Sequence, residues 1–127
     1  MRGYSSSTTL EVATQEHVCF AFKTLLAQLK RRALPEPDFP EATTALFVTW
    51  KTSPRTRSDH ARLRGCIGIL EPRTLHKALR DYTLNSALHD RRFSPIQLSE
   101  VSKDRARLLT RVLGLAADQC LAFLFVQ

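Results

Sequence analysis

The sequence is poor in the residues that punctuate or cross-link small folds. Four glycines and six prolines in 127 residues exclude a collagen-like repeat or a low-complexity linker. The three cysteines, Cys19, Cys66 and Cys120, are odd in number, far apart and without a Cys-x-x-Cys pair. That spacing excludes a disulfide framework and a cysteine-rich zinc site, and it suits a reducing compartment, cytoplasm or nucleus. The opening MRGYSSSTTLEVATQEHV has no apolar stretch, so no secretory leader is expected there. The longest apolar run, residues 112–126, is broken by Asp118 and Gln119. It falls short of the roughly 20 residues that cross a bilayer, and no membrane association is expected. Paired carboxylates, metal-ligand spacings and phosphate-cradling loops are also missing, so neither a metal nor another cofactor is expected.

What is present has an ordinary globular composition, 43% hydrophobic and 24% charged, enough for one core. Charge is the uneven quantity. The chain carries a net +7, yet residues 1–50 hold five groups of each sign. Residues 51–100 hold ten basic groups against five acidic ones. Such a bias favours polyanionic partners in an encounter but fixes neither a fold nor an activity.

Residues 1–13 are polar and serine-rich and are expected to be disordered. From about Thr9 to Arg32 the period is helical, with Val18, Phe22, Leu25 and Leu29 on one face and Ala21 and Leu26 at its margins. Phe20 lies on the far side and predicts a second contact. The run LPEPDFP ends the helix, because its three prolines lack an N–H and restrict their neighbours. Two strands are expected next, ALFVTWKT at 45–52 and LRGCIGIL at 63–70. The polar loop between them carries Arg55 and Arg57 and is flanked by Lys51, Arg62 and Arg64. A second helix should open near Thr74 and bury Leu75, Ala78, Leu79, Tyr82 and Ser86. Leu84 falls among the cations of its opposite face, which suggests a covered surface. His89 falls near the buried stripe and reads as a packing histidine. His60, in the polar loop, reads as solvated.

The segment LRGCIG, residues 63–68, carries the most chemistry. With a period of two, Leu63, Gly65, Ile67 and Ile69 point one way and Arg64, Cys66, Gly68 and Leu70 the other. The first set should pack on a helix. The second offers a guanidinium, a thiol and a gap, and a fixed cation can favour a thiolate. Glycines inside a strand mark a bulge or a close approach. Two readings of Cys66 stay open: a small buried hydrophobe, or a candidate nucleophile that still needs an activating base. Arg64, Gly65 and Gly68, with the loop arginines Arg55, Arg57 and Arg62, are the candidate binding residues.

The succession LFVTWKT, RLRGCIGILEP and TLHKALRDYTLNSALHDRRFSPI resembles the AMMECR domain family over residues 14–100. LRGCIG is the family's hallmark, and the Asp-x-Arg-Phe-x-Pro-Ile element at residues 90–96 also fits, although Ser94 stands where a proline is usual. The resemblance implies an α+β domain with antiparallel sheet packed by helices, distributed from archaea to animals. It also implies an intracellular, often nuclear, protein serving transcription, replication, repair or translation. Association of the prokaryotic domain with Memo-type and radical-SAM proteins points to modification chemistry.

After Glu100 the resemblance lapses. The family's Leu-Pro element and its Trp-x-x-Gly-x-His-Gly-Ile strand are missing, and residues 101–127 read as a divergent tail, drawn as a helix with Leu109, Val112, Leu113 and Ala116 on one side. The expectation is therefore an incomplete domain, with two strands lacking later partners, marginal stability and open edges. Two functions compete. One is a binding or regulatory module with a protein partner, and with nucleic acid as a possible ligand of the basic loop. The other is an enzyme, or an enzyme subunit, using Cys66 beside Arg64.

Overall fold

The computed structural model describes residues 14–52, 62–101, 108–114 and 124–125, the last two segments as strand backbone. Helix α1 spans Gln15–Leu29, followed by strands β1, Thr43–Thr52, and β2, Leu63–Thr74. Helix α2 spans Leu75–Leu88, a 3-10 turn covers Leu98–Glu100, and strands β3, Leu108–Gly114, and β4, Leu124–Phe125, complete the set. The strands form one antiparallel sheet in the order β2-β1-β3-β4. The class is α+β, as the family resemblance implies.

Helix α1 buries Val18, Ala21, Phe22 and Leu25, with Leu26 and Leu29 half-buried against the same cluster. Phe20, on its other side, is buried edge-on against Phe39 at 5.4 Å, which supplies the second contact. The helix stops where Arg31 turns left-handed at φ 57° and the Arg32 N–H reaches back to the Ala27 carbonyl at 2.8 Å. In β1, Leu46, Val48 and Trp50 are fully buried. Trp50 ties both helices to the sheet. Its indole N–H donates to Ser86 Oγ at 3.0 Å and to the Thr83 carbonyl at 3.3 Å, and Phe22 of α1 stands edge-on to its ring at 5.1 Å.

Helix α2 buries Leu75, Ala78, Leu79, Ser86 and Ala87, and Tyr82 and Leu88 are half-buried. Thr74 is its N-cap. Leu84 is half-buried rather than open. His89 departs from the expectation of a packing histidine: it caps the helix end and is exposed, and Asp90 is the residue that turns inward.

Two further expectations are corrected. The helical pattern of the tail does not form: residues 108–114 are strand, so Leu109, Val112 and Leu113 lie in β3; Ala116 lies outside the described residues. The hairpin is therefore not an isolated pair, because β3 runs alongside β1 from Leu46↔Gly114 to Thr52↔Leu108. A β-branched, apolar stretch such as LLTRVLG satisfies either period, and the unpaired N–H groups of β1 decide in favour of a strand. The hexapeptide strand β2 lies at one edge of the sheet. Toward its end Leu70, Glu71 and Pro72 oppose the single residue Ala45, and this bulge leaves Leu70 67% exposed.

Candidate functional site

The register of β1 and β2 sorts the hexapeptide between two faces. Trp50 pairs with Gly65, Thr49 with Cys66 and Phe47 with Gly68. Gly65 therefore faces the helices with Trp50, and a Cβ there would run into the Ser86 carbonyl of α2. Its role is close packing of helix on strand. Cys66 and Gly68 face the other way. A Cβ on Gly68 would strike the Phe47 ring and the Leu46 carbonyl, so Phe47 occupies the gap that the sequence suggested for a ligand. Ile67 and Ile69, expected to anchor the strand, are half-buried.

Cys66 is half-buried, with Sγ 3.1 Å from Thr49 Oγ1. Its backbone groups point out of the sheet, which makes Thr49↔Cys66 a non-hydrogen-bonded pair and brings the two side chains close. Those outward groups are occupied. Asp90 Oδ2 accepts the Cys66 N–H at 3.0 Å, and Arg92 Nη2 donates to the Cys66 carbonyl at 3.1 Å. Asp90 Oδ1 also accepts the Arg92 N–H at 3.2 Å and its Nε at 3.0 Å, while Arg92 Nη2 lies 2.8 Å from Asp90 Oδ2. The Arg92 guanidinium holds the buried Asp90 carboxyl far below the usual carboxylate range; burial opposes this and the N–H groups of Cys66 and Arg92 assist. Arg92 itself is largely exposed and lies over the Phe93 ring at 5.2 Å.

Arg64 does not pair with the thiol. Its Nε and Nη2 donate to the two oxygens of Glu100 at 2.9 and 3.1 Å, and Nη1 donates to the Ser94 carbonyl at 3.2 Å. This forked pair, with the Gln97 N–H at 2.8 Å from Glu100 Oε2, pulls the Glu100 carboxyl down despite its burial. The expected Arg64–Cys66 pairing is replaced by Arg92 beside Cys66 and Arg64 on Glu100. Arg62 is exposed at the hairpin base, where its N–H donates to Thr52 Oγ1 at 2.9 Å. Arg55, Arg57 and His60 lie outside the described residues.

Thr49, Asp90, Arg92 and Glu100 are the members of this site that sequence reasoning did not assign. A signal for two of them was present, since Asp-x-Arg after a helix is the spacing at which an aspartate accepts the N–H two residues on. Nothing local signalled Glu100, which lies 36 residues from Arg64. Among the described residues, surface concavities also lie elsewhere. One, of about 290 Å³, is lined by Cys19, Phe20, Lys23 and Pro35 among others, and one of about 220 Å³ by Arg73, Lys77, Asp81 and Tyr82. Among the described residues no cluster of three His, Cys, Asp or Glu side chains could hold a metal.

A helix-backed antiparallel sheet whose edge strand reads LRGCIG, locked by a following Asp-x-Arg-Phe loop, defines a known domain class. The AMMECR1 family matches residues 18–109, and the chain belongs to that family. It is similar to an uncharacterised protein of Arabidopsis thaliana, 46% identical over 89 residues, which covers 70% of this chain and 41% of that protein. An uncharacterised Saccharomyces cerevisiae protein is 38% identical over 84 residues, covering 60% of this chain and 33% of that one. The chain thus spans about two fifths of the length of one of these relatives and a third of the other. Among solved structures, an uncharacterised protein from Pyrococcus horikoshii superposes with a TM-score of 0.63 at 26% identity, over 83% of this chain and 53% of that one.

Proposed function

We propose that this AMMECR1 domain is a non-enzymatic binding or regulatory module in a basic intracellular process, of the transcription, replication, repair or translation kind, in cytoplasm or nucleus. The observation that carries this reading is the commitment of Arg64 to Glu100 and Ser94, which takes the expected cation away from the thiol. A nucleophilic cysteine also needs a base within hydrogen-bond reach. Among the described residues the hydrogen-bond partner of Cys66 Sγ is the Thr49 hydroxyl, and the rings of His17 and His76 are engaged with Thr14 and Phe39.

The face around Cys66 suits a protein partner. Phe47, Thr49, Cys66 and Gly68 are half-buried there, and Leu70 projects from the bulge at its end. Such a half-buried patch with an exposed leucine at its end is recognised by shape and apolar area. Affinity capture with wild type, Leu70→Glu and Cys66→Ser tests this. One partner should be held by wild type and Cys66→Ser and lost by Leu70→Glu; a partner lost only with Cys66→Ser would reject it. Polyanion contact through Arg55, Arg57 and Arg62 is a separable element, supported by the charge excess of residues 51–100. Salt-sensitive retention on heparin should weaken in an Arg55→Glu, Arg57→Glu variant.

A second reading, thiol chemistry at Cys66, draws on Arg92, whose guanidinium reaches the Cys66 carbonyl. Iodoacetamide labelling across pH separates the two. A labelling midpoint well below the ordinary thiol value of about 8.5 would favour the enzyme.

A further inference from the structure

The segment joining α1 to β1 is pinned by two histidines that use Phe39 in opposite ways. His17, in the first turn of α1, is 4% exposed and stands edge-on to the Phe39 ring at 4.7 Å. Its Nδ1 lies 2.9 Å from the Thr14 N–H. A backbone N–H can only donate, so this Nδ1 is an acceptor and the ring proton resides on Nε2. His76, in the first turn of α2, donates from Nε2 to the Phe39 carbonyl at 2.7 Å. Its Nδ1 faces Glu41 Oε2 at 3.6 Å, and Glu41 Oε1 accepts the His76 and Ala42 N–H groups at 2.9 and 3.1 Å.

A second proton has different consequences at the two rings. On His76 it lands on the nitrogen that faces the Glu41 carboxylate and completes an ion pair. On His17 it must land on Nδ1, where it evicts the Thr14 N–H, keeps only the Thr14 hydroxyl at 3.3 Å as an acceptor, and places a cation at the positive end of the α1 dipole among buried rings. We propose that His17 is a pH-sensitive latch: neutral, it holds the first turn of α1 and residues 33–42 together, and protonated it releases both.

The surrounding charges favour this polarity. From α2 the titratable group facing His17 is His76, a like charge once protonated. From the connecting segment, Glu41 is turned to His76, and Asp38 beside Phe39 is exposed. On α1 itself, Glu16 is exposed. Burial first, and His76 second, push the His17 imidazole below the ordinary histidine value. A group so lowered leaves its stabilising contribution intact above the unfolded value of about 6.5 and loses it as pH falls below that value.

Amide-exchange protection, corrected for the intrinsic effect of pH, tests the latch at pH 7.5 and 5.5. In wild type the opening of residues 33–42 and of the first α1 turn should rise by up to about tenfold. His17→Gln, which can still accept the Thr14 N–H and does not titrate, should abolish the rise, whereas His76→Gln should keep it. Unchanged protection in wild type, or an equal rise in His17→Gln, would overturn the proposal. Ring nitrogen shifts of the wild-type protein provide an independent check should that variant fold poorly. Neutral His17 carrying its proton on Nε2 and titrating below free histidine is the expected result; a proton on Nδ1, or titration at or above the free value, is the contrary one.

Discussion

The Asp90 carboxylate accepts the Cys66 peptide N–H at 3.0 Å, so a side chain 24 residues downstream closes the sheet edge at the hexapeptide. An edge strand presents unpaired N–H and C=O groups that invite another chain. At Cys66 both are taken, the carbonyl by Arg92. The clamp fixes the backbone that sets Sγ against Thr49 Oγ1, and it makes the loop after α2 part of the sheet.

Replacing Asp90 should therefore cost more than one surface ion pair. Asp90→Ala leaves the Cys66 N–H and the Arg92 peptide without their acceptor, and a loss of about 2 kcal/mol is expected from equilibrium urea melts. The sign with pH follows from the depressed carboxyl. Its contribution is present above the unfolded aspartate value of about 3.9 and disappears as pH falls below it. Wild type should lose stability through that acid range more steeply than Asp90→Asn; parallel curves would show that the clamp carries no linkage.

Gly65→Ala should destabilise by about 2 kcal/mol, because the added methyl meets the Ser86 carbonyl rather than a movable side-chain end. Trp50 reports the change. Fully buried and bonded to Ser86, it should emit at shorter wavelength in the folded wild type, and the variant should unfold at lower urea with a similar denaturant slope.

Periodicity made most of the fold legible, because α1, α2 and β1 each bury one continuous stripe. Phe20 was legible too, as an apolar residue with no place on its helix's main stripe. What escaped was whatever depends on long-range pairing. The stretch LLTRVLG suits a helix by period and becomes β3 because β1 offers it an edge. The site escaped for the same reason. Cys66 and Arg64 stand two apart on one face, yet the guanidinium reaches outward to Glu100, and a shared strand face sets where a long side chain starts, not where it ends. Gly65 shows the converse: the strand period put it on the helix-facing side, and the register confirms that placement.

The end of α1 predicts a stabilising change. Arg31 holds φ 57°, a region that costs a side-chain-bearing residue about 1 kcal/mol, whereas glycine enters it freely. Arg31 is exposed, so nothing buried is lost with its side chain. Arg31→Gly should raise the urea midpoint by the equivalent of about 0.5 kcal/mol, reduced from the full value by glycine's larger unfolded-state entropy. A lower midpoint would mean that the arginine side chain contributes contacts of its own.

The Arg64–Glu100 fork separates stability from thiol chemistry at a single residue. Both side chains are partly exposed, at 16% and 25%, so a double-mutant cycle with Arg64→Gln and Glu100→Gln should give a coupling of about 1 kcal/mol. If Arg64 serves the loop and not the sulfur, Arg64→Gln should leave the pH midpoint of Cys66 alkylation where it is in wild type. A shift with Arg64→Gln would reverse the assignment and return the thiol to the cation on its own strand.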